Sequence, residues 1–296
     1  MANPLQLRAE VLANHPEGAC HRLVLHAPGV PQRVRPGHFA TLAVGGADCA
    51  LPLRRAFSIH RVDPAAETVE LVIAARGAGS RLLAAARVGE RVDLIAPLGT
   101  PFPLPDGPVS ALLVAGGHRA APLFALGAEI QRRGGRVGFI LGAATAERLY
   151  GVEQARALTP DVLLLTEDGS LGLTGRASDP LAEAIQAIEA GVVYACGPMD
   201  MLRRVTEIAA EQAVRAHTAV EAAMACGTGI CMTCVLPVVG QDGRSRFVRA
   251  CVDGPVFEGA RVRWADIGTV PADLEGAAAM SGAVPGAVFG ATGGQG

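Results

Sequence analysis

The spacing of apolar and polar positions divides the chain into two regimes and a cysteine-bearing segment. Short apolar runs at 20–25, 39–44 and 68–74 are separated by Pro and Gly punctuation. That pattern predicts short strands joined by tight turns and, together, a small antiparallel barrel over 1–106. From Val109 the period changes. ALLVAGG (111–117) is an apolar run ending in glycines; APLFALGAEIQRRGG (121–135) carries apolar residues at helical spacing and stops at paired glycines. VGFILGA (137–143), DVLLLTED (161–168) and GVVYACG (191–197) read as buried strands, with helical stretches at 180–190 and 200–213 between or after them. Such alternation predicts a parallel α/β sheet over 107–218. Segment 219–270 is rich in Cys and Gly, with two strand-like pieces, and the Ala/Gly-biased 271–296 is expected to be a disordered tail.

Composition narrows the function. The chain has 296 residues, half of them hydrophobic, enough for sizeable cores, and a formal net charge of -2 that gives no basic field for nucleic acid or anionic membrane. All 26 basic residues are arginines, so a Walker P-loop, a Schiff-base lysine and a kinase-type strand lysine are excluded. No run of about 18 apolar residues predicts a membrane helix, and MANPLQLRAEVL lacks a signal-peptide layout, so a cytoplasmic protein is expected. No nucleophile emerges either: Ser110, Ser170 and Ser178 lack a His/Asp context, and the seven histidines are dispersed.

The cysteines carry the chemistry. Cys20 and Cys49 read as small apolar residues in or beside strands, and Cys196 ends a strand before Gly197-Pro198, where ligands approach open α/β sheets. Cys226, Cys231 and Cys234 form C-x(4)-C-x(2)-C, and Cys251 adds a fourth thiol after a hairpin-like stretch, the order of a plant-type [2Fe-2S] cluster. A compact loop can aim three thiolates at one cluster while its amides face the bridging sulfides, and Gly227 and Gly229 supply the close backbone approach. A four-thiolate structural zinc site is the alternative, though such sites more often use two short C-x(2-4)-C knuckles.

Four stretches together resemble the electron-transfer subunits of NAD-linked, class 1B dihydroorotate dehydrogenases, within the ferredoxin-reductase superfamily. They are Arg55-Ala56-Phe57-Ser58; the loop 77–83 leading to APLG; Ala195-Cys196-Gly197-Pro198; and the cysteine loop followed by RACVDGPVF. The resemblance implies an FAD-binding barrel, an NAD-binding α/β domain and a [2Fe-2S] domain. It assigns FAD to Arg55, Ala56, Phe57, Ser58, to Val72, Ile73 and Ala74, and to Gly79-Ser80; the pyridine nucleotide to Gly116, Gly117, Cys196, Gly197 and Pro198; and the cluster to Cys226, Cys231, Cys234 and Cys251. An FMN-containing catalytic subunit, in a tetramer of two plus two chains, is the implied partner, and pyrimidine biosynthesis the implied setting.

The sequence departs from that pattern twice. Ala74 stands where family members often carry arginine, with Arg76 as a nearby substitute, and Arg119 occupies a glycine position of the nucleotide loop (AGGHRAAPL, 115–123). An arginine there is expected to crowd the nucleotide or bind its phosphate. The same architecture also serves reductases of oxygenases and diaphorase subunits of hydrogenases, which use other partners. A non-redox, zinc-stapled binding protein is the reading from a different class, and it would be colourless.

Overall fold

The computed structural model describes residues 3–45, 49 and 51–274. A six-stranded antiparallel barrel comes first: β1 (Leu5–Glu17), β2 (Cys20–His26), β3 (Phe39–Leu42), β4 (Arg55–Asp63), β5 (Thr68–Ala74) and β6 (Arg91–Leu98), closed in the order β1-β2-β5-β4-β3-β6. Closure removes the sheet edges. Alternate side chains of these strands fill the interior with Ala9, Val11, Leu23, Leu25, Leu42, Leu71, Ile73 and Leu94. Helix α1 (Ala78–Ala84) connects β5 to β6.

The α/β region follows as β7 (Ser110–Gly116), α2 (Ala121–Arg132), β8 (Arg136–Ala143), α3 (Val152–Leu158), β9 (Val162–Thr166), the short β10 (Leu173–Thr174), α4 (Leu181–Ala187), β11 (Val192–Cys196), α5 (Met199–Glu211) and β12 (Arg215–Ala219). Strands β7, β8 and β11 are continuous apolar runs because helices cover both faces of the sheet. The sheet order is β10-β9-β8-β7-β11-β12, with one further short strand beyond β12. The winding therefore reverses between β7 and β11, the switch point at which open α/β sheets bind ligands beyond the strand ends.

The last segment is a hairpin, β13 (Val235–Val239) with β14 (Ser245–Arg249), then β15 (Val256–Glu258), which joins the α/β sheet antiparallel to β12. Its small core borrows Phe39 and Leu98 from the barrel to pack against Cys234, Leu236, Ala250 and Cys251. Barrel and sheet are joined by Tyr150 Oη donating to Glu17, by Tyr194 Oη donating to the Pro103 carbonyl, and by the His60 ring on the Ala121 carbonyl. Of the Ala/Gly-biased 271–296, Leu274 is buried, and 275–296 lie outside the described residues. Among the described residues no helix is long and apolar enough to cross a membrane.

Candidate functional site

The barrel and the sheet meet over a cavity of about 340 Å³, within the size range of small-molecule sites. Its barrel wall is β4, with Arg55, Ala56, Phe57 and Ser58, and β5, with Val72 and Ala74. Ile73 points the other way, into the barrel core, because successive strand residues face opposite sides. The sheet wall comes from the ends of β7 and β11: His118 and Arg119 on one side, Cys196 and Gly197 on the other. Gly116, Gly117 and Pro198 are not among the residues lining the cavity. A Cβ on Gly116 would lie 2.7 Å from Pro198 Cδ, so this glycine lets the two loops close on each other.

Arg54 and Arg55 have divided roles. Arg54 is structural: its guanidinium donates to Thr41, to the Asp93 carbonyl and to the Asp93 carboxylate at 2.7 Å. Among the described residues Arg55 donates to the carbonyls of Leu53 and Arg54, which leaves other donors for a ligand, and it lies across Gly79, where a Cβ would come within 2.6 Å of its Nε. Ser80, expected to offer a hydroxyl to phosphate, accepts from the N–H groups of Arg76 and Gly77 and donates to the Gly77 carbonyl. Arg76 lines the cavity and supplies the guanidinium missing at Ala74.

Arg55 and Arg76 line the cavity beside the apolar Phe39, Phe57, Val72 and Met224, while the guanidinium of Arg119 is paired with Glu221 on the same wall. Flat apolar walls with convergent cations suit an aromatic ring carrying a pyrophosphate, so the residues present fit a flavin nucleotide. His118 is held near 4 by burial and by the charges of Arg119 and Arg76, so it stays neutral at physiological pH. Burial pushes the Cys196 thiol far up, and it stays protonated. Arg119 is salt-bridged to Glu221, a cavity residue beyond β12 that no local sequence pattern marks.

The cysteine loop abuts this cavity. Met224 is a wall residue and Cys226 lies two residues on, at most about 7–8 Å along the chain. The backbone N–H groups of Thr228 and Cys231 point at Cys226 Sγ at 3.4 and 3.5 Å. Burial opposes ionisation of that thiol, but these donors outweigh it and bring Cys226 down to about 5. Cys231 is exposed, and the hydroxyl and backbone of Thr233 lower it as well. Cys251 is pushed up to about 12 by burial and by its contact with Cys234.

Cys226 and Cys231 share the loop's N–H and hydroxyl donors, while Cys234 and Cys251 lie buried in the hairpin core. A single zinc ion gathers four thiolates around one point, whereas a two-iron core takes them two by two. The loop needs its glycines: Gly227 has φ +72°, with space for a Cβ closed by Thr41 Cγ2 at 2.5 Å, and Gly229 has φ +85°, with Val252 Cγ2 at 2.6 Å. Met232 takes φ 59° without that excuse, local strain of the kind that clusters at functional loops. Of the apolar residues around the loop, Ile230 and Met232 are exposed, Val235 partly so, and Met224 turns toward the cavity.

A flavin-type barrel, a switch-point sheet and a thiolate loop define an electron-transferring reductase of the ferredoxin-reductase class. The fold agrees: the chain superposes with a TM-score of 0.76 at 25% identity on an NADH-dependent reduced ferredoxin-NADP oxidoreductase, covering 88% of this chain and 91% of that one. Residues 221–263 match the iron-sulfur cluster binding domain of dihydroorotate dehydrogenase B. The electron transfer subunit of dihydroorotate dehydrogenase B (NAD(+)) from Shouchella clausii is 37% identical over 240 residues, 80% of this chain and 90% of that protein. Its counterpart from Geobacillus thermodenitrificans is 35% identical over 245 residues, 82% and 92%. The chain belongs to the family of dihydroorotate dehydrogenase B electron transfer subunits.

Proposed function

We propose that this protein carries electrons between an FMN-containing dihydroorotate dehydrogenase subunit and NAD+, in a cytoplasmic tetramer of two plus two chains serving pyrimidine biosynthesis. The observation that supports it most is adjacency: the thiolate loop begins two residues beyond a wall of the flavin cavity. When bound, FAD exchanges electrons in pairs with a nicotinamide and singly with a [2Fe-2S] cluster, which converts one kind of traffic into the other.

The chain's own residues hold and insulate these groups. Cys226, Cys231, Cys234 and Cys251 ligate the cluster, with the amides of the 226–231 loop stabilising negative charge on sulfur. Arg55 and Arg76 clamp the flavin pyrophosphate, helped by the turn at Gly79 and Ser80. Ser58 and the backbone of Ala56 and Phe57 fix the ring edge, and Val72, Ile73 and Ala74 form the strand behind it. Gly116, Gly117, Cys196, Gly197 and Pro198 build the nicotinamide side, where protonated Cys196 keeps a negative charge away from the reacting ring. No general base is needed in this subunit, because the proton chemistry of dihydroorotate belongs to the partner. The division of labour is 1–106 for FAD, 107–218 for NAD and 219–270 for the cluster. Exposed Ile230 and Met232 beside the loop offer the partner an apolar docking face.

The reading is tested by mixing the purified protein with the catalytic subunit and adding dihydroorotate without oxygen. Flavin and cluster absorbance of this chain should bleach, and NAD+ should restore it. Bleaching by dihydroorotate in the absence of the partner, or no bleaching in its presence, would contradict the reading.

A further inference from the structure

Arg119 stands on a strand end where the chain has a use for it. Sheet order sets the carboxyl ends of β7, β11 and β12 side by side, with β11 in the middle. Arg119 follows the end of β7, Glu221 lies two residues past the end of β12, and Cys196 is the last residue of β11. The Arg119–Glu221 salt bridge therefore crosses two strand spacings, about 10 Å, over the end of β11. Arg119, Glu221, Cys196 and Gly197 all line the same cavity. The Arg119 side chain is 18% exposed, so its guanidinium fills space that a glycine at this position would leave open.

We propose that the Arg119–Glu221 pair is a gate on the nicotinamide side of the flavin cavity, limiting how tightly a pyridine nucleotide binds because the nucleotide must first draw the guanidinium off the end of β11. The inference rests on the reading of this cavity as the FAD and NAD site. Two features make the gate movable. Glu221 is 53% exposed, so the anchor is solvated and weak. The Arg119 Nε–H is buried without an acceptor, so the closed state leaves one donor unsatisfied. Opening therefore breaks one half-exposed ion pair and gives the unpartnered Nε–H access to solvent.

The test uses the full chain with its flavin and cluster, comparing wild type with Arg119→Gly, Arg119→Lys and Glu221→Gln. NAD+ affinity is read by calorimetry, and flavin reduction by NADH in a stopped flow. Arg119→Gly should bind NAD+ up to about fivefold tighter, the scale of one half-exposed ion pair removed from competition. Glu221→Gln should tighten binding by a smaller factor, and Arg119→Lys should stay near wild type. The limiting rate at saturating NADH should move far less than the affinity, which separates a gate from a residue that aligns the reacting atoms. Unchanged or weaker binding in Arg119→Gly, with flavin and iron contents intact, overturns the gate. Should that variant not fold, Glu221→Gln decides alone, tighter binding supporting the gate and unchanged or weaker binding overturning it. If no protein in the set binds NAD+ while dithionite still bleaches the flavin, the nicotinamide reading itself is wrong, and the gate falls with it.

Discussion

The barrel and the cysteine segment are held together by different physics. The barrel is closed, and its strands bury Leu23, Leu25, Leu42, Leu71, Ile73 and Leu94 completely, each worth roughly 1.5–3 kcal/mol of apolar burial. The cysteine segment has one two-stranded hairpin, and its small apolar core leans on Phe39 and Leu98 of the barrel. Four thiols and two left-handed glycines do there what a core does elsewhere. A barrel of this kind stands without its ligand, whereas a loop of this kind depends on its cluster for order, because metal binding and folding are coupled in small thiolate sites.

Removing a thiol tests that difference with the largest effect. Cys231→Ser should abolish iron and acid-labile sulfide content while the flavin stays bound and the barrel and sheet keep their unfolding transition. Retained iron at the wild-type level, or loss of flavin together with iron, would show that the two regions are not separable in this way. A smaller effect comes from the flavin side. Gly79→Ala places a Cβ within 2.6 Å of Arg55 Nε, so the arginine must swing off its position. FAD should then dissociate about tenfold more readily, the price of one charge-assisted contact, with cluster content unchanged. Gly107→Ala meets nothing within 4 Å and should leave both cofactors alone.

The smallest effect is a pH dependence carried by the barrel. Burial, then the charge of Arg35, lowers His38 to about 4. In the unfolded chain its proton binds near 6.5, so between pH 6.5 and 4 the unfolded state holds more protons and stability falls as pH falls. His118 titrates in the same direction. From pH 7 to pH 5 the loss through His38 should be on the order of 2 kcal/mol, seen as a melting temperature lower by several degrees. His38→Gln should flatten that slope; an unchanged slope would assign the acid sensitivity elsewhere.

How much could be read from sequence follows the same divide. The four cysteines proposed for the cluster stand out in sequence because a cluster demands ligand types at local spacing, and residues 226–234 carry three of them in one short loop. Strands β7, β8 and β11 are legible because burial on both faces leaves uninterrupted apolar runs. The flavin stretch needed the family resemblance: Arg54 and Arg55 look alike in sequence, and only their partners separate a structural arginine from one facing the cavity. Glu221 escaped notice because its partner is Arg119, far away in the chain, and long-range ion pairs leave no periodic trace. Strand β15 was hidden for a similar reason, since a three-residue strand joining a parallel sheet antiparallel is set by tertiary contacts.

Electron sharing between a flavin and a two-iron cluster held by one chain is tested by a visible spectrum of the protein purified without oxygen and then titrated with NADH. Flavin bands with a cluster shoulder should appear and both should bleach as NADH is added, with bleaching complete at lower NADH in Arg119→Gly. A colourless protein containing stoichiometric zinc, or a flavin that bleaches while the cluster stays oxidised, would contradict it.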